Sequence, residues 1–284
     1  MAMITEQAPA KLNLTLDIGE KRPDGYHNLV SVMQSVSLCD TVTMETGKGT
    51  GITTSTNWET LPGDESNLAY RAADVFFRET GMVCQGLSIT LAKQIPMGAG
   101  LGGGSSDAAA VLRGLRKLYC PDMPLSRLQR MAIRIGSDVP FCVRGDTALV
   151  RGKGEEMIRL PKLPLCWFAI CKPGFSLSTA EMYQRIDQQP REERSDTSGL
   201  TKALEYQDMR EISERLFNGF EQILPPDSPI FALKKRLLEL GARGACMTGS
   251  GSAVFGLFTE EKEAEKACEA MRSNNLQVFL AERV

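Results

Sequence analysis

The run Gly98-Ala99-Gly100-Leu101-Gly102-Gly103-Gly104-Ser105-Ser106 puts five glycines into seven residues just ahead of a helical pattern. Glycine lets the backbone bend so that several N–H groups converge on one point, and the start of a helix adds about half a unit of positive charge there. Such a place binds phosphate. The plainer reading is a loop that only needs positive φ angles, which asks for fewer glycines than this. Two other residues carry chemistry that a phosphate site could use. Asp138, in Gly136-Ser137-Asp138-Val139-Pro140-Phe141, is of the type that accepts or orients the proton of an attacking alcohol in phosphoryl transfer, although an Asp in a loop is ordinarily a turn former or helix cap. Lys11 supplies a cation of the kind an oxyanion or a nearby carboxylate requires, although a strand lysine is ordinarily a solvated edge residue.

Two other phosphate-binding patterns fit poorly. Gly98-x-Gly100-x-x-Gly103 satisfies the dinucleotide-binding expression, but Pro96 and Met97 intervene after the preceding strand, and the region 120–125 is a break where an acidic strand end should lie. No G-x-x-x-x-G-K-[ST] loop occurs.

The elements that must position these residues follow from periodicity. Residues 9–18 alternate, with Leu12, Leu14, Leu16 and Ile18 on one face and Lys11, Asn13, Thr15 and Asp17 on the other, which predicts a strand with one face in the core. Pro23, Asp24 and Gly25 then predict a tight reversal that places Tyr26 and His27 just beyond it. Helices are expected over 66–80, from Ser106 to Tyr119 and over 125–135, with Ser105 or Ser106 as N-cap of the second, Asp107 complementing its dipole, and Gly136 ending the third before the loop 136–141. A strand is expected at 86–95. The second half should hold a solvated loop at 187–198, helices at 209–222 and 229–240, two strands about a glycine turn within 244–258, a helix at 260–272 and a strand at 276–282.

Bulk properties exclude other classes. With 284 residues, 42% hydrophobic and 24% charged, the chain has the composition of a globular protein with a sizeable core. A net charge of −2 gives no global positive field for a nucleic acid, so no nucleic-acid partner is expected. The eight cysteines form no C-x-x-C pair and there is one histidine, which argues against a structural metal site. No secretory signal and no membrane-spanning run are visible, so a cytoplasmic protein with reduced, buried thiols and no membrane partner is expected.

The segments PAKLNLTLDIGEKRPDGYHNL, PMGAGLGGGSSDAAA and MTGSGSAVFGLF resemble the three motifs of the GHMP small-molecule kinases, in that family's order and spacing over essentially the whole chain. The resemblance implies an α+β, two-lobed GHMP kinase fold. It would have an N-terminal ribosomal-protein-S5-domain-2-like lobe (1–155, ATP-binding) and a C-terminal ferredoxin-like α/β lobe (156–284), with the active site between them. It implies ATP and Mg2+ and, from the wording of the first motif, a cytidine-diphosphate-linked methylerythritol phosphorylated at its 2-hydroxyl. Carried over by position, Asp138 would be the catalytic base and Lys11 its cationic partner. Asn67, Leu68 and Lys93 would lie near the nucleoside of ATP, and Pro96, Met97, Gly98, Ala99, Gly100, Leu101, Gly102, Gly103, Gly104, Ser105 and Ser106 would hold its phosphates. Asn13, Tyr26, His27, Asp138, Thr179, Tyr183, Thr248 and Gly249 would meet the acceptor, with Tyr26 and His27 on one side of the cytosine and Tyr183 on the other. The stretch Thr248–Ser252 would close over the phosphates. No counterpart of the separate acidic Mg2+ ligand of mevalonate kinase is found, so the metal's protein ligands stay unassigned.

Overall fold

The computed structural model describes residues 2–47, 49–189 and 193–284. They form two compact units, each discontinuous in sequence. One comprises Met1–Ala10, Cys39–Ile95 and Gly102–Gly145, the other Lys11–Leu38, Pro96–Leu101 and Asp146–Val284. The long strands β1 (Met3–Lys21) and β2 (His27–Thr46) contribute segments to both.

In the first unit, β4 (Leu87–Ala92) runs antiparallel to residues 41–46 of β2 and parallel to β3 (Ile52–Thr56). Two long helices, α1 (Leu68–Thr80) and α2 (Gly103–Tyr119), pack on each other through buried alanines, and the shorter α3 (Leu125–Ala132) and α4 (Val139–Arg144) complete the layer. Asn67 caps α1, its side chain accepting from the Ala69 N–H at 2.9 Å, so the predicted helix begins slightly later than expected. The N-cap of α2 is Gly102 rather than Ser105 or Ser106, with φ +72° and no side-chain cap. Ser106 is buried, its hydroxyl donating to the Pro9 carbonyl at 2.5 Å, and so is not free to cap. The expected loop 136–141 is helical from Val139, because Pro140 suits a first helical turn.

In the second unit, β5 (Thr147–Gly152) lies antiparallel to residues 29–34 of β2 and to β6 (Glu156–Arg159). A four-stranded antiparallel sheet has the order β11-β7-β10-β9, with β7 at Trp167–Pro173, β9 at Gly244–Met247, β10 at Val254–Phe258 and β11 at Leu276–Glu282. Helices α5 (Thr179–Gln188), α8 (Pro229–Glu239) and α9 (Glu261–Met271) share its core through Met182, Ile186, Ile230, Leu237, Ala264 and Cys268. Ser228 caps α8 as predicted.

Three further expectations need correction. Residues 209–222 are not one helix but α7 (Met209–Glu214), a short strand β8 (Phe217–Asn218) parallel to β1 at Thr15 and Leu16, and a 3-10 turn at Gly219–Ile223. Asn218 caps that turn and Gly219 follows, a pair that interrupts rather than propagates a helix. The stretch 187–198 is not simply solvated. Asp187 and Gln188 finish α5, Arg194 pairs with Asp17 at 2.9 Å, and Asp196 caps α6 (Thr197–Glu205), while residues 190–192 lie outside the described residues. The polar face of β1 is buried too, with Lys11 3%, Asn13 1% and Thr15 0% exposed. All eight cysteines are free, and five of them are buried as small apolar residues.

Candidate active site

In the second unit the two glycine-rich turns interlock. The Ala253 N–H donates to the Ala99 carbonyl at 3.1 Å, and the Thr248 hydroxyl points at the Gly100 carbonyl at 3.3 Å. Gly100 has φ +74°, and a Cβ there would fall 2.1 Å from the Thr248 carbonyl oxygen, so only glycine fits. Asn13 ties the first motif into this junction. Its Oδ1 accepts from the Lys11 ammonium (2.6 Å), the Gly249 N–H (2.9 Å) and the Thr248 hydroxyl (3.2 Å), while its Nδ2 donates to Ser31 Oγ (2.8 Å). Residues from three distant motifs, Lys11, Asn13, Gly100, Thr248 and Gly249, therefore share one hydrogen-bonded cluster. Buried polar groups that are fully paired hold a single geometry, and here they present a buried lysine beside backbone turns of the type that bind anions.

Asn218 and Glu221 were not singled out by sequence reasoning. Asn218 Nδ2 donates to the carbonyls of Met247 (2.7 Å) and Gly249 (2.9 Å), and Glu221 accepts from the Met247 N–H (2.7 Å). Both brace the Thr248–Ser252 turn from behind. Their local sequence carries no signal of it, because the contact spans about thirty residues.

In the first unit, Leu68, Lys93, Gly103 and Gly104 come together. A Cβ at Gly103 would lie 3.4 Å from Lys93 Nζ and one at Gly104 3.4 Å from Leu68 Cδ1. The Lys93 ammonium is buried between two carboxylates, pairing with Asp40 and, at 2.6 Å, with Asp107. Asp40 also accepts the N–H groups of Gln94 (2.5 Å) and Ile95 (2.8 Å), which anchors the chain just before Pro96. Asn67 spends its side chain on the α1 cap and on the Pro62 carbonyl. Neither Asn67 nor Lys93 is left as a loose polar contact, and Asp40 is a residue the sequence analysis did not single out. An acidic residue on the otherwise apolar phase (Val36, Leu38, Val42, Met44) of the alternating stretch Ser35–Met44 was the available signal.

One ammonium neutralises one carboxylate, so the second keeps its proton more readily. Asp40 has the amide donors, of Gln94 and Ile95. Burial drives the Asp107 carboxyl up to about 7, with the Asp40 charge adding to the rise against the pull of Lys93. Its Oδ1 has no hydrogen-bond partner, which suits a neutral acid better than an anion. The unfolded carboxyl loses its proton near 3.8 and the folded one near 7. Between those values the folded chain holds the extra proton, so stability falls as pH rises, by a few kcal/mol in all. Asp107→Asn, isosteric with the neutral acid, should flatten this dependence. Denaturation midpoints at pH 5 and pH 8 that differ as much in the variant as in the wild type would show that Asp107 is ionised in the fold.

Asp138 is half-buried at the N-cap position of α4, and its side chain makes no capping bond, so the helix-cap reading fails. The neighbouring Gly136 sits close to the first turn of α2, a Cβ on it lying 4.0 Å from Ser105 Oγ.

The acceptor-side residues in the second unit are arranged differently from the expected sandwich. His27 is buried and stacks directly on Tyr183, with ring centroids 4.9 Å apart and planes 21° apart, which leaves no space for a base between them. Its Nε2 lies 2.7 Å from Asp187 Oδ1, and Lys21 holds the other carboxylate oxygen at 2.6 Å. Tyr26 is 54% exposed, with the Lys153 ammonium 5.2 Å from its ring centroid. Lys21, His27, Asp187 and Arg194 also line an open cavity of about 370 Å³. Thr179 is exposed and bonds Ser250 at 2.8 Å, which brings it to the glycine turn. Among the described residues no cluster of three or more His, Cys, Asp or Glu could hold a metal, and no helix is long and apolar enough to cross a membrane.

Residues 67–146 match the GHMP kinases N terminal domain and residues 200–276 the GHMP kinases C terminal region. A 4-diphosphocytidyl-2-C-methyl-D-erythritol kinase of Macrococcus caseolyticus is 40% identical over 98% of both chains, and one of Syntrophomonas wolfei is 42% identical over 96% of both. The chain belongs to the GHMP kinase family. A crystal structure of 4-(cytidine 5'-diphospho)-2C-methyl-D-erythritol kinase superposes with a TM-score of 0.81 at 34% identity, covering 99% of each chain. The GHMP kinase fold expected from the three motifs is thus the fold observed, and ATP is the phosphoryl donor of a kinase of this family.

Proposed function

We propose that this GHMP kinase transfers the γ-phosphoryl group of ATP to the 2-hydroxyl of 4-diphosphocytidyl-2-C-methyl-D-erythritol, in the cytoplasm, as a step of the non-mevalonate route to isoprenoid precursors. The observation that carries the reading is the full-length likeness to kinases of that name, joined to the Lys11–Asn13–Thr248–Gly100 cluster. Division into an ATP-binding domain at 1–155 and a C-terminal domain at 156–284 belongs to the same reading, supported by family matches that fall on either side of residue 155. Neither a nucleic acid nor a membrane is a partner in it.

In this scheme Asp138 takes the proton of the acceptor hydroxyl as its oxygen bonds to the γ-phosphorus, and the bond from that phosphorus to the bridging oxygen breaks to release ADP. Lys11, fixed by Asn13, holds negative charge at the reacting centre. Pro96–Ser106 and the Thr248–Ser252 turn supply N–H groups to the phosphates. Leu68 and Lys93 shape the nucleoside side. Mg2+ would be carried on the phosphate oxygens of the nucleotide, which satisfy most of its ligand needs, and would offset their charge.

A coupled assay of ADP release tests the proposal. Turnover is expected with the cytidylated methylerythritol and not with plain methylerythritol or mevalonate; preference for either of the latter would reject the acceptor assignment. Tyr26→Ala should raise KM for the cytidylated acceptor by about tenfold or more while KM for ATP holds, since one stacked base is worth about 1–3 kcal/mol. Equal rises for both substrates would remove Tyr26 from the acceptor site.

A further inference from the structure

Lys172, at the end of β7, is 6% exposed, and its ammonium donates to two backbone carbonyls, of Pro173 at 2.7 Å and of Phe175 at 2.7 Å. No carboxylate among the described residues pairs with it. Burying an ammonium without a counter-ion is costly, and an apolar side chain of equal length would serve the core of β7 at least as well. The carbonyls it holds belong to a segment that touches both glycine turns. The Phe175 carbonyl also accepts from the Ser252 hydroxyl at 2.6 Å. A Cβ on Gly98 would meet Ser176 Oγ at 2.7 Å, and one on Gly251 would meet Leu177 Cδ1 at 2.9 Å.

On the phosphate-loop reading given above, we propose that Lys172 is a positioning residue for the nucleotide, its buried ammonium holding the segment Pro173–Leu177 against the turns at Gly98 and Gly251. A single carbonyl oxygen stands between that charge and Ser252. Charge-assisted hydrogen bonds are the stronger kind, so the backbone that frames the phosphates is set before they arrive. Burial pulls the Lys172 ammonium below the usual lysine range, which agrees with its lack of a carboxylate.

The test is calorimetry with a non-hydrolysable ATP analogue and, separately, with the cytidylated methylerythritol, on wild type and Lys172→Met. The variant should bind the analogue about tenfold or more weakly, the loss expected when hydrogen bonds to a charged group disappear. Its acceptor affinity should stay within about threefold, and its thermal midpoint should hold or rise, as replacement of a buried charge by an apolar isostere allows. Should Lys172→Met fail to fold, Lys172→Gln, which keeps N–H donors without the charge, is read in its place for the same selective loss. Unchanged analogue affinity, or equal losses for analogue and acceptor in a folded variant, overturns the positioning role alone. A wild-type chain that takes up no analogue overturns the kinase reading and this inference with it.

Discussion

Asp138→Asn should lower kcat by about 10²- to 10⁴-fold, the usual contribution of a positioned proton acceptor, while the thermal midpoint and the affinity for an ATP analogue stay near wild type. The grounds are structural as well as familial. Asp138 is half-buried and its side chain does not cap α4, so the helix loses no cap when the charge is removed. The thermal midpoint of the isosteric variant, read beside its kcat, separates a loss of chemistry from a loss of fold. Steady-state kinetics with both substrates saturating reads the effect. A kcat within a few-fold of wild type would reject Asp138 as the base.

Gly100→Ala should nearly abolish nucleotide binding and also lower stability. The residue sits at φ +74°, where an L side chain costs roughly 1–2 kcal/mol, and its Cβ would press within 2.1 Å of the Thr248 carbonyl oxygen. Backbone cannot step aside as a flexible side chain does, so overpacking adds roughly 1–3 kcal/mol and separates the two turns. The separation also breaks the contact of the Thr248 hydroxyl with Gly100 and disturbs Asn13. Gly25→Ala is the control: its φ is +85° but nothing lies within 4 Å of the added methyl, so only the backbone strain remains. Calorimetry with an ATP analogue and thermal melts on both variants decide the matter. Similar nucleotide affinities for the two would mean that the contact between the turns is not what shapes the phosphate site.

Much of the site could be anticipated because its signals are local. A glycine run before a helical pattern signals a turn whose N–H groups can converge on one point, and the alternation at 9–18 places Lys11 and Asn13 on the same side of a strand. Family resemblance then suggested roles for Asp138 and Tyr26, which spacing could not. Where expectation and structure part, the deciding contact joins residues far apart in the chain. Tyr183 looked like the far wall of a base sandwich, but its ring lies on His27, 156 positions away, because Asp187 on the same helix holds the imidazole there. The charged stretch 187–198 looked solvated because its pairing partner Asp17 belongs to the first strand.

Taken alone, the amino-acid order determined where backbone must turn, which strands and helices alternate in polarity, and which family motifs recur, since each depends on neighbours within a few residues. Only the tertiary structure decided how buried charge is satisfied. Lys93 is shared between Asp40 and Asp107, and Lys172 is left to carbonyl groups alone. The reason is electrostatic: the energy of an ion removed from water depends on the few atoms within about 4 Å of it, and those atoms are brought there by folding rather than by proximity in sequence.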